Sequence, residues 1–296
     1  MKRLTLAALC VLGQATAIAQ DAAFLRAMGE DVVSLELDSN AARGEAVQAI
    51  LERLGLTFTL ETFQGTQRGG AAQSVGTNIV VTLGDGRSDI VVGGHYDAVS
   101  LPDGRLSRGA VDNAASVVIL ARLADVLAEE PLNHRVRVVF FDMEELGLIG
   151  SSRYVQAHAG DDIEAMVNLD VNGYGDTVFY GPVGNQPGGV MHESMQSACR
   201  AVMVDCVAFG RSPSSDHLSF DRAGIPMVML SLLPVTQVEE LHTALNGSPE
   251  EQRALTQAPT ILSLIHTADD TSARIDPAGM ALTLKTLLEL VRTLDR

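Results

Sequence analysis

Histidines and carboxylates in this chain sit where apolar runs stop. The run ending at Gly94 is followed by His95-Tyr96-Asp97, and the run ending at Phe141 by Asp142-Met143-Glu144-Glu145. A third run, through Asn168 and Leu169, reaches Asp170. Asp112 precedes a long apolar stretch, and His266 follows residues 262–265 and leads into Thr267-Ala268-Asp269-Asp270. Two histidines and several carboxylates around one crevice form the nitrogen and oxygen donor set of zinc or a similar divalent ion. Two ions need one carboxylate between them, and Asp112, an acid on its own loop, is the natural bridge. Taken singly, each acid also reads as a helix cap or a solvated charge, and each histidine as a polar residue at the core edge. Their joint occurrence at consecutive run ends carries the inference. His134, His158, His192 and His242 lack such company and read as surface residues.

The elements that must position these residues follow from periodicity. Val47, Ile50, Leu51 and Leu54 recur at helical spacing, and Gly55 stops them. Short β-branched runs occupy residues 78–83 and 90–92. A helix fills 113–128 and ends before Pro131. Then come a strand at 135–141, a short helix after Gly150, a strand at 165–171, a helix over 191–202 and a buried strand at 226–232. The last helix has Asp276 as its cap and Pro277 in its first turn. Strands alternating with helices make an α/β fold, a mostly parallel central sheet covered by helices on both faces. Ligands of such sheets bind beyond the carboxyl ends of the strands, which is where the acids and histidines collect.

No repeat, low-complexity tract or linker divides the 296 residues, so one domain is expected over 20–296. Residues 1–19 read as a secretory signal peptide: Lys2 and Arg3 open it, a short apolar run follows, and Ala17-Ile18-Ala19 offers small residues for cleavage. The expected location is therefore secreted or periplasmic, with no membrane span, since no later apolar run approaches membrane length. Removing two of the 21 basic residues and none of the 37 acidic ones deepens the net charge from −16 to −18. Such a surface repels nucleic acid and anionic lipid. Cys199 and Cys206 either pair in an oxidising compartment or form a buried free pair; a spacing of seven leaves both open. The stretch 234–264, with a helix over 238–245 and an Asn246-Gly247 turn, is either a wall over the site or ordinary surface structure.

The strings GGHYDAVS from Gly93, GAVDNAAS from Gly109, DMEELGLIGS from Asp142, NLDVNG from Asn168, SSDHLSF from Ser214 and IHTADDT from Ile265 occur in this order, within a resemblance that runs from about Ala41 to the C-terminus. Together they resemble the zinc aminopeptidases of the bacterial leucyl aminopeptidase type, a family that also includes glutaminyl cyclases and glutamate carboxypeptidases. The resemblance implies a mixed, largely parallel sheet between helices and two Zn2+ per chain. His95 and Asp170 would hold one zinc, Glu145 and His266 the other, and Asp112 would bridge them. Glu144 would be the general base, and Asp97 would orient His95 from behind. Ser215, Asp216 and His217 match a motif lining the site, in a second-layer, substrate-contacting or structural role. A cis peptide bond after Asp112 is implied too.

The expected reaction is hydrolysis of the first peptide bond of peptides with a free N-terminus. Acyl transfer by a glutaminyl cyclase competes with it, since His266-Thr267-Ala268-Asp269-Asp270 matches the cyclases as well. However, those place a tryptophan before that histidine, where this chain has Ile265 and no tryptophan anywhere. Carboxypeptidase or dipeptidase specificity stays open, and a non-catalytic binding module is disfavoured by the intact ligand set. Some relatives supply an oxyanion-supporting tyrosine near Ser215-Asp216-His217 or before the last histidine. Neither position holds one here, so that donor is unassigned.

Overall fold

A computed structural model of the chain describes residues 21–66, 73–184 and 189–296, and the expected leader at 1–19 lies outside them. Helix α1 (Ala22–Ser34) starts at Asp21, whose side chain accepts the Ala23 N–H at 2.8 Å, and buries Met28 and Val32. Helix α2 (Asn40–Arg53) starts at Ser39 in the same manner and buries the expected stripe of Val47, Ile50 and Leu51. Gly55 then turns the chain with a left-handed φ of 73°. Next come β1 (Thr59–Thr66), β2 (Gln73–Leu83), β3 (Asp89–His95), α3 (Ala115–Leu127), β4 (Arg135–Phe141), α4 (Ile149–Ala157) and β5 (Ile163–Leu169). They are followed by β6 (Thr177–Gly181), α5 (Val190–Val202), β7 (Val207–Ala208), α6 (His217–Asp221), β8 (Met227–Leu233), α7 (Val235–Asn246), α8 (Pro249–Ala254) and α9 (Pro277–Leu294). Asp276 caps α9 through the Ala278 N–H, with Pro277 in the first turn as expected.

Among the described residues, these strands join one 8-stranded sheet in the order β1-β2-β4-β3-β5-β8-β6-β7. The central four, β4, β3, β5 and β8, run parallel, while β2 and β6 run antiparallel on either side of them. Alternation along each central strand sends side chains to both faces. Ile90, Val92, Val138, Phe140, Val167 and Leu169 pack with α3 and α9, while Val91, Val139, Phe141 and Met166 meet Tyr154 of α4 and Phe220 of α6. Each such side chain contributes about 1.5–3 kcal/mol on full burial, so the register of the central strands is strongly fixed. Cys199 and Cys206 form a disulfide, with Cα atoms 6.1 Å apart, that ties the end of α5 to the start of β7. Among the described residues, no helix is long and apolar enough to cross a membrane.

Candidate metal centre

The parallel register brings the carboxyl ends of three strands level: His95 pairs with Phe141, and Gly93 with Asn168. His95, the Asp142–Glu145 loop and Asp170 therefore leave the sheet side by side. Asp112 arrives from the π-helical turn Ala110–Ala114, where it and Asn113 depart from helical geometry and the bond between them is cis. The Asp270 carboxylate holds this turn, accepting the N–H of Val111 at 2.7 Å and of Asp112 at 3.2 Å. From the other side, Asn113 Nδ2 donates to the Leu169 carbonyl at 2.9 Å. His266 follows the short helical turn Thr260–Ser263 and adopts a left-handed φ of 60°.

Asp112 sits between the two histidines. Its Oδ1 lies 3.1 Å from His95 Nε2, and its Oδ2 lies 3.0 Å from His266 Nε2. Asp170 Oδ1 approaches His95 Nε2 at 3.6 Å, and Glu145 Oε2 approaches His266 Nε2 at 3.2 Å. Two ligand-like groups result, His95–Asp112–Asp170 and Asp112–Glu145–His266, each with its donor atoms within 4.8 Å of one another. Glu145 Oε1 and Asp170 Oδ1 are buried without a hydrogen-bond partner among the described residues. Buried carboxylate oxygens are normally paired, so this donor set fits a divalent cation. His266 is half exposed and Glu145 partly buried, whereas His95, Asp112 and Asp170 are buried; the second group is the one open to solvent.

The electrostatics follow from packing acids around imidazoles. Burial alone would lower the His95 pKa, but the carboxylates of Glu144, Asp112, Asp170 and Asp97 outweigh it and raise it well above the ordinary value. Hydrogen bonds to Asp112 and Glu145 lift His266 to about 11. Burial, reinforced by Asp216, Asp170 and Asp97 and opposed by His95, holds the Glu144 carboxyl well above the usual range. Burial also raises Asp270 to about 7.

Asp97 touches both His95 and the glutamate pair. Its carboxylate is 3.5 Å from His95 Nδ1, while its backbone carbonyl is closer, at 3.1 Å. The carboxylate also accepts the N–H groups of Glu144 at 3.0 Å and Glu145 at 3.1 Å. It thus fixes the two neighbouring glutamates against the strand that carries His95. The structure also places Ser215, Asp216 and His217 beneath the site. Ser215 accepts from Asn168 Nδ2 at 2.9 Å, His217 Nε2 lies 3.2 Å from Ser212 Oγ, and all three residues are fully buried. Burial raises Asp216 to about 7 and lowers His217 to about 4. The residues just before the motif, Pro213 and Ser214, line the adjoining cavity.

That cavity, about 220 Å³, opens between His95, Asp112, Glu144, Asp170 and His266 on one side and an apolar wall on the other. Phe179, Met229 and Leu233 come from the sheet. Leu241 of α7 and Ile261, Leu262 and Ile265 beyond it complete the wall. The 234–264 stretch is therefore a wall of the site. Asp270 and these apolar residues were not assigned roles from the sequence; the repeated acid of Asp269-Asp270 was the one available signal for the former. The remaining histidines lie away from the site with partners of their own, His158 between Glu61 and Asp161, and His134 beside Asp295.

The sequence profile of peptidase family M28 matches residues 78–291, which contain every residue of the site. The chain belongs to peptidase family M28. Aminopeptidase YwaD of Bacillus subtilis is 33% identical over 145 residues, covering 46% of this chain and 30% of that protein. At the level of fold, the chain is similar to a zinc aminopeptidase from Bacillus subtilis (TM-score 0.68, 16% identity, 90% of this chain and 94% of the other). It is equally similar to the glutaminyl cyclase of Fimbriiglobus ruber (TM-score 0.68, 17% identity, 91% and 94%). The chain spans half or less of the length of the curated relatives it matches.

Proposed function

We propose that this M28 protein is a secreted zinc exopeptidase that binds two zinc ions and hydrolyses the N-terminal peptide bond of peptides. The observation that carries the reading is Asp112, whose two carboxylate oxygens face two histidines in two separate donor groups. His95 and Asp170 would hold one ion, Glu145 and His266 the other, with Asp112 between them. Bound there, such ions would polarise a scissile carbonyl and ease deprotonation of the attacking water. Glu144 faces the same cavity without being part of either donor group. Its raised proton affinity suits a group that takes a proton from water and returns it to the departing amine nitrogen. The apolar wall from Phe179 to Ile265 would take a neutral, apolar first side chain, and the carboxylates at its mouth would attract the free ammonium. The disulfide supports export, because such bonds persist in oxidising compartments.

Zinc-loaded protein should cleave a short peptide with a free N-terminus and an apolar first residue. N-acetylation should abolish cleavage, while amidation of the C-terminus should matter little. Equal rates on free and acetylated peptides, or release from the C-terminus, would overturn the aminopeptidase reading and leave a zinc hydrolase. A cyclase shares the fold, so an N-terminal glutamine peptide belongs in the same panel. Release of the glutamine points to hydrolysis, and conversion of the intact peptide to its pyroglutamyl form points to acyl transfer.

A further inference from the structure

The first turn of α2 reaches the metal centre from outside the residues matched to the family. Arg43 is fully buried there, and none of its nitrogens is within ion-pairing distance of a carboxylate among the described residues. All its bonds go to backbone carbonyls instead. Nε donates to Tyr96 O at 2.6 Å, Nη1 to Leu35 O and to Arg108 O at 2.7 Å each, and Nη2 to Gly109 O at 3.3 Å. Tyr96 follows His95 directly, and Gly109 ends the segment that enters the Asp112 turn. One turn earlier, Asn40 Nδ2 donates to Ala98 O at 3.1 Å while its Oδ1 accepts the Ala98 N–H at 2.9 Å. Asp97, which holds the backbone of Glu144 and Glu145, is therefore gripped on both sides.

We propose that Arg43 and Asn40 are positioning residues of the metal centre: they fix the His95–Asp97–Ala98 segment against the 108–112 segment at the separation that two donor groups sharing Asp112 require. The proposal rests on the two-metal reading above. A buried cation near acids has two opposed effects on a metal site. Its charge, facing Asp97, Asp270, Asp112 and Glu145, disfavours a second cation. Its fixed fork of donors, by contrast, orders the ligands before the ion arrives, and losing such outer support weakens metal affinity about 10–100-fold. Positioning is the stronger effect here, because four carbonyls from three separate segments converge on one guanidinium.

The two effects differ in sign, which makes the test decisive. Zn2+ affinity is measured by competition with a chromophoric chelator, and melting temperature with and without Zn2+, for the wild type, Arg43→Met and Asn40→Ala. Arg43→Met should bind Zn2+ at least about tenfold more weakly, and its zinc-dependent rise in melting temperature should shrink. Asn40→Ala changes no charge and should shift in the same direction by less. A lower melting point with unchanged Zn2+ affinity in both variants would mean a structural role only. Tighter Zn2+ binding by Arg43→Met would mean that charge outweighs positioning. Either result overturns the proposal. Should Arg43→Met not fold, Asn40→Ala decides alone: unchanged affinity overturns the proposal, weaker binding supports it. A wild type that binds no Zn2+ would instead remove the two-metal reading on which the proposal stands.

Discussion

At the residue scale, adjacent Glu144 and Glu145 are divided by direction. Glu145 faces His266 at 3.2 Å, while Glu144 lines the cavity wall with no ligand partner. Asp97 makes that division possible, since it anchors both peptide N–H groups and leaves the side chains free to diverge. Glu144→Gln is expected to leave the fold and zinc content near normal while lowering kcat roughly 10²–10⁴-fold. Glu145→Gln should instead reduce zinc content, which metal analysis after dialysis would read. Reversed behaviour of the two variants would mean that base and ligand are interchanged. Proton uptake supplies another test at this scale. Without metal, the surrounding carboxylates raise the proton affinity of both His95 and His266, the latter to a pKa of about 11. A metal takes neutral imidazole, so binding must release protons. The sign follows: apparent Zn2+ affinity should rise with pH and keep rising between pH 7 and 9. A plateau near pH 7, as for ordinary histidines with a pKa of about 6.5, would contradict these environments.

At the element scale, the strand ends position the candidate ligands and the 234–264 segment supplies part of the cavity wall. Leu262 is half exposed and lines the cavity, so Leu262→Asp should leave the melting temperature unchanged. It should lower kcat/KM for an N-terminal leucine peptide about 10-fold or more, within the range for one altered pocket contact. An unchanged preference would place the first side chain elsewhere. The central strands were legible because each is a buried, largely apolar run; β4 falls at Arg135–Phe141 as the sequence predicts. Strand β1 was not, since Thr59–Thr66 lies on the sheet edge with Leu60 exposed and polar residues between its apolar ones. Two-residue β7 carries no period to read. His95, Glu144, Glu145 and Asp170 were legible as types at strand ends, which the parallel register brings together, whereas Asp112 and His266 come from helical turns that the register does not place. The contacts that aim them were not legible. Asp97 meets backbone N–H groups 47 and 48 residues away, and Arg43 looks in sequence like any polar residue of an amphipathic helix.

On the scale of the whole molecule, the chain carries a net charge of −16, and a single sheet ties the described segments together. The Cys199–Cys206 disulfide closes a short loop, worth about 2–3 kcal/mol in chain entropy. It lies away from the metal ligands, so reduction should lower the melting temperature by several degrees while kcat stays within about twofold. Loss of activity at temperatures well below melting would tie the bond to the site. Export is tested on protein recovered from the native host, whose mature N-terminus is expected near Gln20 and outside the cytoplasm. An uncleaved soluble chain in the cytoplasm would contradict export. The most direct measurement of the central claim is anomalous diffraction at the zinc edge from crystals of zinc-loaded protein. Two peaks are expected, one against His95 and Asp170, the other against Glu145 and His266, with the Asp112 carboxylate between them. A single peak at full occupancy in fully active protein, or zinc bound at other residues, would contradict the two-metal centre.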